Sequence, residues 1–424
     1  MSTRAGIVVT GTEVLTGRVA DRNGPWLAER LRLLGVDIAH TIVVGDRAED
    51  LLGSLRFLVD AGVDLIITSG GLGPTADDLT AEIVGEFQGR PLRLDFELED
   101  KIGSIIARLA TRLGWNLDAD ATAAATRKQA MVPEGGAVLG IAGTAPGLVV
   151  PAADGRDGPP VIVLPGPPRE LQAMWPAATA DASVLAAIAG RRELRQATIR
   201  LWGSQESELA AVLRDLDGQL TDLEITTCLR DGELEIVTRY APDAQPAYDK
   251  LAAAIGSAFA ETLLSTDGRT IDDLVADALI ERGLTIATAE SCTAGLLAGR
   301  LTERAGSSRY LRGGLVVYSN EAKHDLAGVP AELLERVGAV SAEVAEALAQ
   351  GARERLRADI GIGITGVAGP DGGTPDKPVG LVHLCVAGDE AVIARHITVR
   401  GSRHEVRNAA VIIALHLVRE LLER

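Results

Sequence analysis

Short β-rich apolar runs alternate with longer stretches of helical periodicity from residue 5 to about 178. AGIVVTG (5–11), VDIAHTIVVG (36–45), VDLIITS (63–69) and VIVLP (161–165) read as strands, and residues 22–34, 47–60, 79–88 and 168–175 read as helices. Such alternation predicts a mostly parallel sheet with helices on both faces. AADGRDGPP at 152–160 reads as a turn between two short strands.

The pattern shifts at about 180–195, where an Ala-rich helix ends in the charged run GRRELR. Residues 196–261 then read as strand, helix, two strands and helix, the strands LEITTCLR and ELEIVTRY hinging at Asp231-Gly232. From about 268 the alternation returns. IDDLVADALIERG reads as helix, TIATA as strand, TAGLLAGRLTER as helix, GGLVVYS as strand and SAEVAEALAQGARERL as helix. The strands IGIGITG, VGLVHLCVAG and VIARHITV follow, then a terminal helix from 402. The expected fold class is α/β: two α/β domains with mostly parallel sheets, 1–180 and 268–424, joined by a small α+β module, 195–262.

At 424 residues the chain is too long for one ordinary core, and 46% hydrophobic content supports several. Aromatics are only 3%, so Ala, Leu, Val and Ile must fill the layers, which suits α/β packing better than an aromatic-rich all-β fold. Cys228, Cys292 and Cys385 are scattered and odd in number, matching neither a zinc pattern nor a disulfide framework, so the expected compartment is the reducing cytoplasm. The first residues lack a signal-peptide core, and no apolar run approaches the ~18 residues of a membrane span. A net charge of −17 and few basic residues in the middle module disfavour direct nucleic-acid binding, which needs clustered Lys and Arg. A nucleotide in a local pocket stays open.

Open α/β sheets bind ligands at the carboxyl ends of their strands. Four segments can meet there in the first domain: GTEVLTG (11–17), Asp46, SGGLGPTADDLT (69–80) and LPGPPRE (164–170). Gly70, Gly71 and Gly73 let the backbone approach a phosphate, and Thr75, Asn23 and Gly166 complete the candidate substrate-binding set. Glu13, Asp46, Asp77, Asp78 and Glu170 are candidate ligands of a divalent ion, which takes oxygen donors and offsets repulsion between carboxylates and a diphosphate. Plain alternatives stand beside each. Thr75 to Asp78 fits a helix capping box, Gly-Gly-x-Gly after a strand is a common tight turn, and Asn23 and Glu13 can be ordinary loop polar groups.

In the last domain TIATA runs into AESCTAG and YSNEAK follows, placing Ser291, Tyr318 and Lys323 together. A Ser hydroxyl is a poor nucleophile until a base takes its proton, and Lys serves as that base once burial pulls its pKa below about 10.4. Only five Lys stand against thirty-seven Arg, so a Lys here is less readily surface filler. The trio suggests a serine amidohydrolase, with Ser291 at a strand-to-helix junction beside amides able to stabilise an oxyanion. Thr365, in GIGITGVAGPDGG, is placed to hydrogen-bond the pair or line the pocket, with the Gly366 and Ala368 amides nearby. Arg403 and Arg407, four apart on the terminal helix, can clamp a 5′-phosphate. Other readings remain open here: Ser291 as the cap of a helix from Thr293, Cys292 as the nucleophile, Tyr318 as a core aromatic, Lys323 as a solvated loop residue, and the arginines as an exposed charged face.

The ordered motifs GTEVLTGRVADRNGPWLAERL, ITSGGLGPTADDLT, GTAPG (143–147) and VLPGPPREL resemble the molybdopterin-binding-like domain of the CinA (competence/damage-inducible protein A) family. TAESCTAGLLA, YSNEAKHDLAGV, GITGVAGPDGGTPDKPVG and the Arg-bearing final helix, over about 268–422, resemble the family's C-terminal domain, which is similar to stand-alone PncC nicotinamide mononucleotide deamidases. The resemblance implies a cytoplasmic, dimeric hydrolase of pyridine nucleotides with a KH-like middle module. Its C-terminal domain is expected to deamidate nicotinamide mononucleotide without a cofactor, using Ser291 as nucleophile, Lys323 as base, Tyr318 as helper and Thr365 as support. Its N-terminal domain is expected to cleave the pyrophosphate of ADP-ribose, or of NAD-like dinucleotides, with Mg, Mn or Co. Asp46 and Asp78 match functional carboxylates of molybdopterin-binding relatives. A competence or DNA-damage adaptor, or a molybdopterin binder with degenerate catalytic sites, is the alternative. Two departures from the family pattern stand out: Ala294 where ESCTGG is usual, and Ser402 where a GDR triplet carries Asp.

Overall fold

The computed structural model describes residues 3–216, 218–230 and 232–424, and the chain divides at residue 195 into two units. In the first unit, strands Asp37–Val44, Arg4–Thr10, Leu65–Ser69 and Val161–Leu164 lie side by side in that order and run parallel. Pro146–Val150 and Ala137–Ile141 extend the sheet antiparallel. The inner strands read as apolar runs because both of their faces are covered. Val8, Ile66 and Val163 pack on one side with Leu55 and Ile83, while Ile7, Ile67 and Ile162 pack on the other with Leu27 and Leu171.

The turn expected at 152–160 joins Pro146–Val150 to Val161–Leu164. Periodicity did not reveal the helices Phe96–Leu113 and Ala119–Gln129, nor the strand pair Leu92–Leu94 and Met131–Pro133 that brackets them. Local signals for the first were present: Asp95 caps it by accepting from the Leu98 amide at 3.0 Å, and Gly114 ends it in the left-handed region.

The second unit carries two sheets. Leu223–Arg230, Glu233–Tyr240, Arg195–Trp202 and Leu263–Ser265 form the smaller one, with helices Glu206–Asp215 and Gln245–Ala258. Leu263–Ser265 is too short to carry a pattern, and Asp231, half of the expected hinge, lies outside the described residues. The larger sheet has the order Leu311–Val316, Ile286–Glu290, Ile360–Gly366, Leu381–Ala387 and Val392–Thr398; its first three strands run parallel, Leu381–Ala387 runs against them, and Val392–Thr398 pairs antiparallel with Leu381–Ala387.

Helix Ala342–Leu356 lies so close to this sheet that a Cβ on Gly361 or Gly363 would stand 2.0 Å from the carbonyls of Ala349 and Ala345. Helices Ile271–Arg282 and Arg403–Glu423 pack in the largest apolar cluster with Ile362 and Leu384. His416 of the last helix stacks on Trp202 of the smaller sheet, ring centroids 3.6 Å apart. Two helices escaped the sequence pattern, Asn320–Ala327 and Ala331–Val337, and the one expected at 293–304 is confined to Leu296–Thr302. Among the described residues no helix is long and apolar enough to cross a membrane.

Candidate active sites

Glu290, the last residue of its strand, pairs with Val316, the last residue of Leu311–Val316, and with Ile364, two residues before the end of Ile360–Gly366. Ser291, Val317 with Tyr318, and the strand residue Thr365 therefore lie together at one sheet end. Ser291 N donates to Ile364 O and Val317 N to Glu290 O, each over 2.9 Å.

Lys323 sits in the first turn of Asn320–Ala327, a helix that Ser319 caps by accepting from the Ala322 amide at 3.1 Å. It is 2% exposed. Its Nζ donates to Tyr318 O at 3.0 Å and Ser319 O at 3.5 Å, and among the described residues it forms no ion pair. Burial pulls its pKa below the ordinary Lys value, against weaker opposing pulls from Cys292 and Glu321. The solvated-loop alternative is therefore overturned.

Ser291, 8% exposed, does not cap a helix: the next helix starts at Leu296 behind Gly295, with no side-chain cap. Glu290 does that work instead. Fully buried, its Oε1 accepts from Thr288 Oγ1 (3.0 Å) and Ala298 N (2.8 Å), and its Oε2 from Gly295 N (3.0 Å) and Leu297 N (3.1 Å). The helix amides expected to serve an oxyanion are thus already taken. The sequence reading missed Glu290, although an acidic residue ending an otherwise apolar strand was the available signal. Cys292 lies in the core, 3% exposed, and burial pushes its thiol up to about 11, so at neutral pH it is not a thiolate.

Tyr318 is no core aromatic: it is exposed and its Oη accepts from Arg403 Nη2 at 3.0 Å. Arg403 Nη1 donates to Gly369 O at 3.0 Å, and Arg407 Nη2 to Thr293 O at 2.8 Å. Both arginines reach the site, but each already holds protein carbonyls. Arg403 is exposed with N–H donors to spare, whereas Arg407 Nε is buried without a partner. Ser402 caps their helix through a reciprocal pair with Glu405, a task open to the family's Asp as well.

Thr365 departs from expectation. Fully buried, it gives its one hydroxyl hydrogen to Ala339 O at 2.7 Å, so it fastens a neighbouring loop rather than donating to Ser291 or Lys323. Gly366 is required by packing, since a Cβ would stand 2.7 Å from Leu381 O. Ala368 is 4% exposed with its methyl in the core, leaving only its backbone for a substrate.

In the first unit a cavity of about 370 Å³ gathers Glu13, Asp46, Asp77, Asp78 and Glu170 with Gly70, Gly71, Gly73, Thr75 and Gly166. Asn23 stands apart from this lining. Its buried Nδ2 donates to Ser69 Oγ at 2.8 Å and Gly166 O at 2.7 Å, so it fastens the loop instead of facing a substrate. Thr75 to Asp78 closes its own turn, Asp78 Oδ2 accepting from Thr75 N (2.9 Å) and Oγ1 (2.6 Å). The helix itself starts at Thr80 behind Leu79, so the capping-box alternative fails. Asp46 Oδ2 accepts from Thr12 N and Oγ1, both at 2.9 Å. The Thr75 hydroxyl stands 2.5 Å from Asp77 Oδ1 as well, so its one hydrogen is shared between the two carboxylates; it holds the Asp77 carboxyl below its usual range, while burial raises that of Glu170.

Gly70 and Gly71 have fold reasons of their own: both have positive φ, and added Cβ atoms would stand 2.5 Å from Thr10 O and 2.1 Å from Thr80 Oγ1. Lys128, whose Nζ donates to Thr75 O, and Gln129, which lines the cavity, come from a helix the sequence pattern did not predict. Among the described residues no three His, Cys, Asp or Glu side chains converge as a metal cage. The donors are all hard oxygens. They fit a hydrated ion held by one or two carboxylates and substrate phosphates, as magnesium is, and do not fit a closed site.

Family models match the chain in two places: a probable molybdopterin binding domain over residues 6–182 and a CinA C-terminal domain over 268–422. A CinA-like protein of Mycolicibacterium gilvum (strain PYR-GCK) is 56% identical over 426 residues, covering 100% of this chain and 99% of the relative. The chain belongs to the CinA family. A further CinA-like protein, of Mycobacterium sp. (strain JLS), is 55% identical over 427 residues, covering 100% of both chains. The solved structure of the competence/damage inducible protein CihA from Agrobacterium tumefaciens matches at 41% identity and a TM-score of 0.35, covering 38% of this chain and 100% of its own. Within this CinA chain, the four N-terminal motifs fall inside the first matched segment, and Ser291, Tyr318, Lys323, Thr365, Arg403 and Arg407 inside the second.

Proposed function

We propose that this CinA-family chain is a bifunctional pyridine-nucleotide hydrolase whose C-terminal domain deamidates nicotinamide mononucleotide. The observation that carries the reading is Lys323, buried with only backbone carbonyls for partners and with its pKa drawn down by desolvation. An unpaired buried Lys is costly and rare, and its neutral form is a base. Lys323 Nζ takes the Ser291 proton as Oγ attacks the carboxamide carbon. The tetrahedral adduct collapses, the C–N bond breaks, and Lys323 returns the proton to the departing ammonia. Water, deprotonated by the same amine, then attacks the acyl carbon; the C–Oγ bond breaks, Lys323 returns the proton to Ser291 Oγ, and nicotinate mononucleotide leaves. The free N–H donors of Arg403 suit the substrate phosphate.

For the N-terminal domain the reading is cleavage of the ADP-ribose pyrophosphate, with NAD-like dinucleotides as related substrates. Among the described residues five carboxylates line the cavity and no Lys or Arg does, Lys128 reaching only the carbonyl of the lining residue Thr75, so a diphosphate there needs a further cation to offset the like charges. A divalent ion would supply that charge, with Asp46, Asp77, Asp78, Glu13 and Glu170 as the available ligands.

Purified protein incubated with nicotinamide mononucleotide should release ammonia with or without chelator. With ADP-ribose it should release AMP only when Mg, Mn or Co ions are present. Absence of ammonia under every condition would remove the first activity, and absence of AMP would leave the first domain a binding module.

A further inference from the structure

We infer that Glu290 is a positioning residue for the serine nucleophile, holding residues 291–295 in their reactive conformation. The inference rests on Ser291 being the nucleophile.

Glu290 is the last residue of its strand and directly precedes Ser291. Its side chain reaches across the following turn to the Gly295, Leu297 and Ala298 amides. The turn is thereby held at three points. Ser291 N is tied to Ile364 O at its start, Thr293 O accepts from Arg407 Nη2 in its middle, and the carboxylate closes its end. Ala294 lies inside this bracket at φ +50, a conformation that non-glycine residues avoid. Something must hold it there. A nucleophile displaced by about 1 Å loses on the order of a hundredfold in rate, so a bracket around Ser291 acts on turnover as well as on folding.

The bonding pattern makes the requirement specific. All four partners are donors, two to each carboxylate oxygen. Gln offers one oxygen and turns an N–H2 group toward two of them, so at least one N–H faces N–H2 without an acceptor. Asp lacks the methylene needed to reach across the turn. No ordinary replacement satisfies all four.

The test compares wild type with Glu290→Gln and Thr288→Val, each assayed well below its melting temperature for ammonia release from nicotinamide mononucleotide. Thr288→Val keeps the side-chain shape and removes only the 3.0 Å bond to Oε1. In Glu290→Gln kcat should fall about a hundredfold with KM within about twofold. In Thr288→Val it should fall about fivefold, the loss of one hydrogen bond. The pH at which the rate rises should stay where wild type has it, because Glu290 makes no bond to Lys323. The rate at which a fluorophosphonate labels Ser291 should fall in parallel, a readout independent of the natural substrate. Folded Glu290→Gln with wild-type kcat and labelling rate overturns the inference. If Glu290→Gln does not fold, folded Thr288→Val with wild-type kcat and labelling rate overturns it. Wild type that is labelled at Ser291 but releases no ammonia removes the proposed substrate alone, and the labelling rates then decide. Wild type that resists labelling at Ser291 and releases no ammonia removes the nucleophile and this inference together.

Discussion

Arg403 Nη2 donates to the Tyr318 hydroxyl over 3.0 Å, joining the first residue of the terminal helix to the loop that leads into Lys323. The phenol accepts the cation's hydrogen and keeps its own to donate, so Tyr318 is oriented toward a role as donor. Tyr318→Phe should raise KM for nicotinamide mononucleotide about threefold and change stability by less than about 0.5 kcal/mol, because the pair is exposed. Arg403→Ala should raise KM by about tenfold or more. Steady-state ammonia release checks both, and an unchanged KM in Arg403→Ala would take the phosphate away from this residue.

Lys323→Met should abolish ammonia release, by about a hundredfold or more, and should stabilise the protein at pH 7. The folded-state pKa of Lys323 lies below its ordinary value. Between the two, the unfolded chain holds the proton and the folded chain does not, so wild-type stability rises with pH across that window. The advantage of the Met variant should therefore shrink as pH climbs toward about 10.4. Denaturant titrations of both proteins at pH 7 and pH 10 read this directly. In wild type, the rate should rise with pH through a midpoint below that of an ordinary Lys.

Cys292→Ala should retain turnover within about threefold while Ser291→Ala loses it. A buried thiol pushed up to about 11 is a packing group. Loss of its sulfur from the core should cost about 1 kcal/mol. Alkylation of the native protein at pH 8 should spare this residue. Full activity in Ser291→Ala combined with its loss in Cys292→Ala would reverse the assignment.

Ala294→Gly should raise stability by about 0.5–1 kcal/mol. The residue sits at φ +50, where a non-glycine side chain costs about 1–2 kcal/mol, partly offset by the greater freedom of Gly in the unfolded chain. A thermal melt checks the sign. A decrease would mean that the alanine methyl makes packing contacts that outweigh the strain.

Asp78→Ala should cut AMP release from ADP-ribose about a hundredfold and leave ammonia release unchanged. The substitution removes a cavity carboxylate and also frees the Thr75 backbone amide, while the Thr75 hydroxyl keeps Asp77 as its acceptor. Paired assays on one preparation make the comparison.

The strands and most helices were legible because burial on both faces writes itself into runs such as LIITS and VIVL, and amphipathic helices into their spacing. The helices at 96–129 and 320–337 left weaker traces, and Lys323 was ambiguous for that reason: only a helix that turns its side chain inward makes the Lys buried. Sequence alone determined the layered α/β class, the two motif sets, and the residue types able to do the chemistry. Tertiary structure decided which way those residues face and whose hydrogen bonds they use. It gave Asn23 and Thr365 to the support of loops, placed Cys292 in the core, and put Glu290 on the amides that an oxyanion would have needed. The reason is physical. A periodic pattern reports which side of an element is covered, whereas a hydroxyl's single hydrogen or a carboxylate's two oxygens are committed by partners tens of residues away in the chain.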